Sequence, residues 1–281
     1  MDNTPTTQLP DGTSRPPPPG YLHELLAGKR VPAGRTVLSR ALAILTTFSH
    51  HHPTRTLTEM SRVTGIPLST THRLASELVE LGALERDDEG LHRIGLRLWE
   101  LGAVASRSVD LRATAMPFLG DVYAATGQNV LLGVLDGAEA LYIERISGPR
   151  SVHLASVVGT RMPLHASGVG LVLLAYGPWS LKQQILQEPL PALTPHTVTD
   201  PRELRETLAM VKRQGFAVSK RQIDETATSI AAPLFGTNGK VVAALSLVTS
   251  ASEDPRPLIP ALVTAARGLS RALGTRETVW E

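Results

Sequence analysis

Between Val37 and Ile94 the chain has little freedom, because three short helical stripes, each with its own stop signal, lead into a charged hairpin. Val37, Leu38, Ala41, Leu42, Leu45 and Phe48 recur at steps of three and four, which predicts one buried helical stripe. After the polar break His50 to Pro53, Thr56 and Glu59 form a capping-box pattern, in which hydroxyl and carboxylate reciprocally satisfy amides at a helix start. That second helix is expected to stop near Thr64, at Gly65. Ile66 and Pro67 then make a tight connection to a third helix that carries Leu74, Leu78 and Leu81 on one face and ends at Gly82. Ala83 to Arg86, the turn Asp87 to Gly90 and Leu91 to Ile94 predict a short hairpin, or wing.

Helix, turn, helix and wing is a geometry that lays the third helix in a DNA major groove. Three small helices are common in all-α folds, so the topology needs support from its surface chemistry. Stepping 100° per residue sets Ser69, His72, Arg73, Ser76 and Glu80 opposite the leucines. Ser69 and Thr70 are candidates for capping the helix start or meeting a phosphate. Arg73 has the planar fork that grips guanine O6 and N7 and is the leading base reader. His72 ranks below it, because a solitary histidine on an exposed helix is usually just solvated. The acidic turn Asp87 to Glu89 is unfavourable beside phosphates, so wing contacts are assigned to Arg86, His92 or Arg93.

Composition narrows the function classes. With 281 residues, 42% of them hydrophobic, the chain can build two domains. The absence of cysteine excludes disulfides, thiolate nucleophiles and cysteine-based metal sites, and suits a reducing cytoplasm. A formal net charge of only +2 means that any DNA contact must be local. Met1 to Gly20 is proline-rich and lacks the order of a secretory signal. The most apolar stretches, Gly168 to Tyr176 and Val241 to Val248, fall far short of the ~20 residues needed to cross a bilayer. A soluble, cytoplasmic protein is expected.

The expected organisation is a disordered proline-rich tail over 1–34, a winged helix-turn-helix over 35–95 and a linker helix over 96–109. An α/β domain follows over 110–274, with a C-terminal tail over 275–281. The linker pattern is Leu98, Trp99, Leu101 and Val104, and a helix with Leu111, Met116, Leu119, Val122 and Tyr123 follows and ends at Gly127. Strands are expected at Asn129 to Leu135, Leu141 to Ile146, Ser151 to Val158, Phe216 to Lys220, Ser229 to Phe235 and Val241 to Val248. Helices are expected around Gly168 to Tyr176, Pro201 to Gln214 and Pro257 to Leu273.

The segment GIPLSTTHRLASELVELGALERDDEGLHRIG, Gly65 to Gly95, resembles the winged helix-turn-helix of IclR-type bacterial transcriptional regulators, as does LSRALAILTTF upstream. GTRMPLHASGVG at Gly159 to Gly170, HTVTDP at His196 to Pro201, SIAAPLF at Ser229 to Phe235 and GKVVAALSL at Gly239 to Leu247 are similar to the family's effector-binding domain. Together these segments span about Arg35 to Gly274. The resemblance implies an α+β two-domain protein with a GAF-like antiparallel effector domain. It also implies a cavity for a small organic acid, sugar-derived metabolite or aromatic catabolite, approached by Met162, His165, Ser167, Gly168, Ser219, Ser229 and Ser246. Amides at Ser167 and Gly168, opening a helix, would suit an anion on physical grounds alone. Leu171, Ser219 and Ser229 stand where the family often has lysine, an acid and cysteine, so the pocket is less charged than usual. Glu225-Thr226 stands where Pro-Gly is frequent, and Leu68 replaces a common basic residue.

The implied partners are double-stranded operator DNA, a small-molecule effector, and a second copy or dimer of dimers pairing through helix one and Leu98 to Val104. RNA polymerase is a further candidate, and no cofactor, metal or membrane is implied. Two other functions fit these residues less well. A hydrolase could use His165 and Ser167 with Asp200 and Asp224, but HASGVG lacks the Gly-x-Ser-x-Gly elbow. A dimerising interaction module without DNA contact is the blander alternative, and the run His50 to His52 reads as a solvated loop rather than a metal site.

Overall fold

The computed structural model describes residues 36–274 except positions 51, 105, 150, 153 and 155. The two expected tails lie outside the described residues. The chain divides into two compact units, with the boundary between Ala113 and Thr114.

In the N-terminal unit, α1 (Val37–Leu45) starts at Thr36, whose hydroxyl accepts from the Ser39 amide at 3.1 Å. Only half of the expected stripe is covered. Ala43 and Ile44 are buried, with Ala41, Leu45 and Phe48 packed beside them, whereas Val37, Leu38 and Leu42 are exposed. This nine-residue helix is apolar on two sides, so two stripes share its periodicity and only the one facing Met60 and Leu74 is covered. After β1 (Thr54–Arg55), α2 (Leu57–Thr64) carries the full Thr56–Glu59 capping box and closes at Gly65, whose φ of 70° is left-handed.

Helix α3 (Leu68–Glu80) buries Thr71, Leu74, Ala75 and Leu78. Leu81, expected on that face, is exposed, because the helix ends before it and Gly82 turns the chain away. The wing strands β2 (Leu84–Arg86) and β3 (His92–Ile94) pair antiparallel, and β1 adds on the far side of β3. Helix α4 (Leu96–Ala103) occupies the expected linker, and α5 (Ser106–Thr126) begins inside the range assigned to it.

The C-terminal unit is built on a six-stranded antiparallel sheet. Its strands are β4 (Asn129–Asp136), β5 (Glu139–Ile146), β6 (Arg161–Pro163), β7 (Ala217–Lys220), β8 (Ala227–Phe235) and β9 (Val241–Ser250), in the spatial order β6-β5-β4-β9-β8-β7. Helices α6 (Gly168–Tyr176), α7 (Trp179–Gln187) and α8 (Pro201–Gln214) follow β6, and α9 (Ile259–Ala272) packs on β8 and β9. The main core joins Leu131, Ala231, Ala244 and Val248 of the sheet to Val169, Leu171, Val172, Leu173 and Leu174 of α6 and to Leu204, Leu208 and Val211 of α8.

Among the described residues of Ser151 to Val158, the expected strand does not form. Side chains capture its backbone instead: Asn129 Nδ2 donates to the Val152 carbonyl at 2.8 Å, and Arg145 donates to the carbonyls of Leu154 and Ser156. The short strand β6 then supplies the sheet edge. Among the described residues, no helix is long and apolar enough to cross a membrane.

Candidate nucleic-acid interface and effector cavity

On α3 the residues Ser69, His72, Arg73, Ser76, Glu77 and Glu80 are exposed and Thr70 is half-buried, so one polar face stands free. Ser69 and Thr70 do not cap this helix. Pro67 holds the N-cap position and offers no hydroxyl, so the first-turn amides have no side-chain partner. That end carries partial positive charge and suits a phosphate oxygen. Arg73 leans toward Glu77, 3.5 Å away and one turn on, in an exposed pair of small energy.

In the wing, Arg86 is exposed beside Gly90. Arg93 is exposed as well, but Glu85 already holds it through Nε at 2.8 Å, which offsets its charge. His92 is buried and is not a wing contact, because β3 is the middle strand of three and turns this ring inward. Burial, and then the charge of Arg86, hold its pKa below the ordinary value, which favours the neutral ring.

The C-terminal unit encloses a cavity of about 80 Å³ between the sheet and the start of α6. Of the residues expected there, Met162, Ser167, Gly168, Ser219 and Ser229 line it. His165 does not. Its ring is buried and its Nε2 is bonded to the Pro191 carbonyl at 3.1 Å, with its pKa lowered mainly by burial. Ser246 lies deeper, fully buried, two residues before the lining Val248 on the same face of β9.

Ser167 caps α6: its hydroxyl accepts from the Gly170 amide and donates to the Pro163 carbonyl, both at 3.0 Å. Ser219 donates to the Ala166 carbonyl and pins the turn before the cap. Among the described residues the buried Ser229 hydroxyl has no partner, and a Cβ at Gly168 would come within 2.5 Å of it. An orphaned buried hydroxyl is costly, and one beside a helix N-terminus has a use when a polar ligand arrives. The proposed hydrolase constellation is not assembled. Ser167 and His165 serve other partners, Asp200 caps α8 by accepting from Arg202, and Asp224 accepts from Thr226.

Sequence reasoning missed Tyr142, Leu154, Ser156, Gln222, Ile223, Ala227 and Val248 of the lining, and singled out Asp224 only for the hydrolase alternative. Only Val248 carried a signal, through its two-residue step from Ser246. The stretch from Arg221 to Asp224 reaches the cavity because a distant loop holds it. Thr194 donates to the Arg221 carbonyl, Thr197 donates to that of Gln222, and the Val198 amide donates to Gln222 Oε1.

The family description "IclR helix-turn-helix domain" matches residues 37–88, and "Bacterial transcriptional regulator IclR C-terminal" matches residues 103–273. Among curated proteins, the HTH-type transcriptional regulator XynR of Escherichia coli is 34% identical over 243 residues, 84% of this chain and 96% of its own length. The regulator KipR of Bacillus subtilis is 31% identical over 240 residues, with the same coverage. Among solved structures, an IclR homolog from Microbacterium hydrocarbonoxydans, complexed with 4-hydroxybenzoate, superposes with a TM-score of 0.81 at 36% identity, covering 85% of this chain and 99% of that one. The IclR of Thermotoga maritima gives 0.70 at 26% identity, covering 84% of this chain and 98% of its own.

Proposed function

The chain belongs to the IclR family of bacterial transcriptional regulators, with a DNA-binding N-terminal domain and a C-terminal ligand-binding domain, and from that premise we propose how it reads DNA and what it senses. The protein binds a pseudopalindromic operator as a homo-oligomer, a dimer or a dimer of dimers, at promoters where RNA polymerase is the neighbouring partner. Two recognition helices must then lie about one turn of DNA apart, ~34 to 36 Å. The uncapped, polar face of α3 carries this reading. Its open amides suit a phosphate, Arg73 reads guanine, Ser69, Thr70, His72 and Ser76 flank it, and Arg86 and Arg93 reach the backbone from the wing.

The cavity binds a small hydroxy acid. Its apolar walls, Tyr142, Leu154, Met162, Ile223 and Val248, suit a flat or branched carbon skeleton. The start of α6 and the Ser229 hydroxyl suit a carboxylate, while Gln222 and Asp224 offer acceptors to a ligand hydroxyl. The 4-hydroxybenzoate bound by the Microbacterium relative has both ends, and it is the first compound to test. Ligand binding shifts DNA affinity only as far as it favours one arrangement of the oligomer over another, typically about 1 to 3 kcal/mol.

Selection of bound sequences from random duplex DNA, with and without 4-hydroxybenzoate, tests both halves. The expected result is a two-fold motif that Arg73→Ala loses, with base discrimination falling by about 1 to 3 kcal/mol at the guanine it reads. An unchanged motif in Arg73→Ala would remove α3 as the reader.

A further inference from the structure

The geometry points to a second ligand site in the C-terminal unit, separate from the cavity beside α6: a groove between α7 and α8 that takes a compact polyanion carrying a flat ring. On α7, Trp179, Lys182, Gln183 and Leu186 follow the i, i+3, i+4, i+7 spacing of a single face. On α8, Arg205, Leu208, Ala209 and Lys212 repeat that spacing, and all eight side chains line the groove, of about 190 Å³, with Ala175 of α6.

Three of these residues are cations, and among the described residues no carboxylate pairs with Lys182, Arg205 or Lys212. Lys182 is half-buried and shares the groove with Lys212 closely enough for their charges to interact, and the Lys212 amine stands 5.9 Å from the centre of the Tyr176 ring. Burial, and then the charge of Lys212, depress the Lys182 pKa below the ordinary lysine range. Two neighbouring ammonium groups in a partly dry groove repel each other, and an anion set between them reverses the sign of that interaction. At the rim Trp179 is 73% exposed, a large flat surface left in water. Cations around an exposed indole suit a ligand with several negative charges and one ring. A second copy of the chain is a poor occupant, because a two-fold contact through this groove would press like charges together.

Calorimetry on the full chain tests this with two probes, benzene-1,3,5-tricarboxylate and inorganic pyrophosphate, the second offering charge without a ring. Both are expected to bind, more weakly as salt rises. The double variant Lys182→Gln/Lys212→Gln should lose about tenfold or more for each probe, and the exposed Arg205→Gln gives a milder loss that does not depend on the double variant folding. Trp179→Ala should weaken the tricarboxylate by about threefold or more while leaving pyrophosphate unchanged. Ser229→Leu, which fills the cavity, should change neither. No heat from either probe at millimolar concentration, equal affinity in the lysine and arginine variants, or loss on Ser229→Leu would each overturn the assignment.

Discussion

Helices α3 and α6 invite comparison, because each carries a serine at or beside its start and each is proposed to meet an anion, yet they solve opposite problems. Helix α3 leaves its first-turn amides without a side-chain cap and half its surface in water. Helix α6 caps itself through Ser167 and buries every residue from Gly168 to Ala175. In the proposed reading, the first presents backbone and side chains to a large partner that supplies the missing bonds. The second is packed on all sides, and only its end borders the cavity. A helix that reads a surface can be under-satisfied and mobile in its side chains, whereas a helix that closes a cavity must be tightly packed, because errors in its position change the cavity itself.

The largest effect that would break this contrast comes from Gly170, in the first turn of α6. A Cβ there would lie 2.6 Å from the Leu164 Cα and 2.7 Å from the Pro163 carbonyl oxygen, both backbone atoms. Gly170→Val is expected to cost about 3 kcal/mol, read as a lowered melting transition for the C-terminal unit with the N-terminal unit unaffected. A variant that melted like the parent would show α6 to be as tolerant as α3.

Acid titration separates the two units next. His92 in the N-terminal unit and His165 in the C-terminal unit are both buried with pKa values held below the ordinary 6.5. The unfolded chain therefore takes up protons first as pH falls. The stability from each neutral ring is complete above pH 6.5 and is lost as pH falls toward its folded value, no more steeply than one proton's worth, about 1.4 kcal/mol per pH unit. Urea melts between pH 7 and pH 5 should show His92→Gln flattening the slope of one unit and His165→Gln that of the other. Parallel slopes in wild type and variants would remove these rings as the cause.

The smallest effect sharpens the comparison most directly. Ser167→Ala removes a cap and should cost about 1 kcal/mol of stability. Ser69→Ala removes none and should stay within about 0.5 kcal/mol, while weakening DNA binding. Matched denaturation curves and gel shifts for the two variants read both terms, and equal destabilisation would mean that Ser69 has a structural role after all.

How far the sequence could be read follows from the same contrast. Helix α3 was legible because water covers one side of it, so leucine spacing and polar spacing are separately visible, and the Thr56 to Gly65 punctuation on α2 set its neighbour. Helix α1 is legible as a helix but its covered face only in part, because apolar residues occupy two sides and periodicity cannot say which one finds a partner. His92 was misassigned because a three-residue strand is too short for alternation to mark its inner face. Around the cavity, the serines at α6 and on the strands could be named. Gln222 and Ile223 could not, nor could the place of Asp224 on the lining, since this stretch is held there by hydrogen bonds from Thr194 and Thr197, some 25 residues away in the chain. The lost strand at Ser151 to Val158 has the same origin: its pattern was correct for a ladder, but Asn129 and Arg145 claimed its carbonyls.

That capture by Arg145 has a consequence for which molecules approach the sensor. Its guanidinium, half-buried with its pKa lowered by burial, is bonded to the carbonyls of Leu154 and Ser156 and to Asn129, and among the described residues to no carboxylate. A charge held by neutral dipoles keeps its field, and a low-dielectric wall screens that field less than water does. Leu154 and Ser156 line the cavity. Arg145 therefore adds positive potential at this wall, against the carboxylate of Asp224 on the same lining, and we propose that the balance between the two sets how far the site favours an anionic over a cationic ligand.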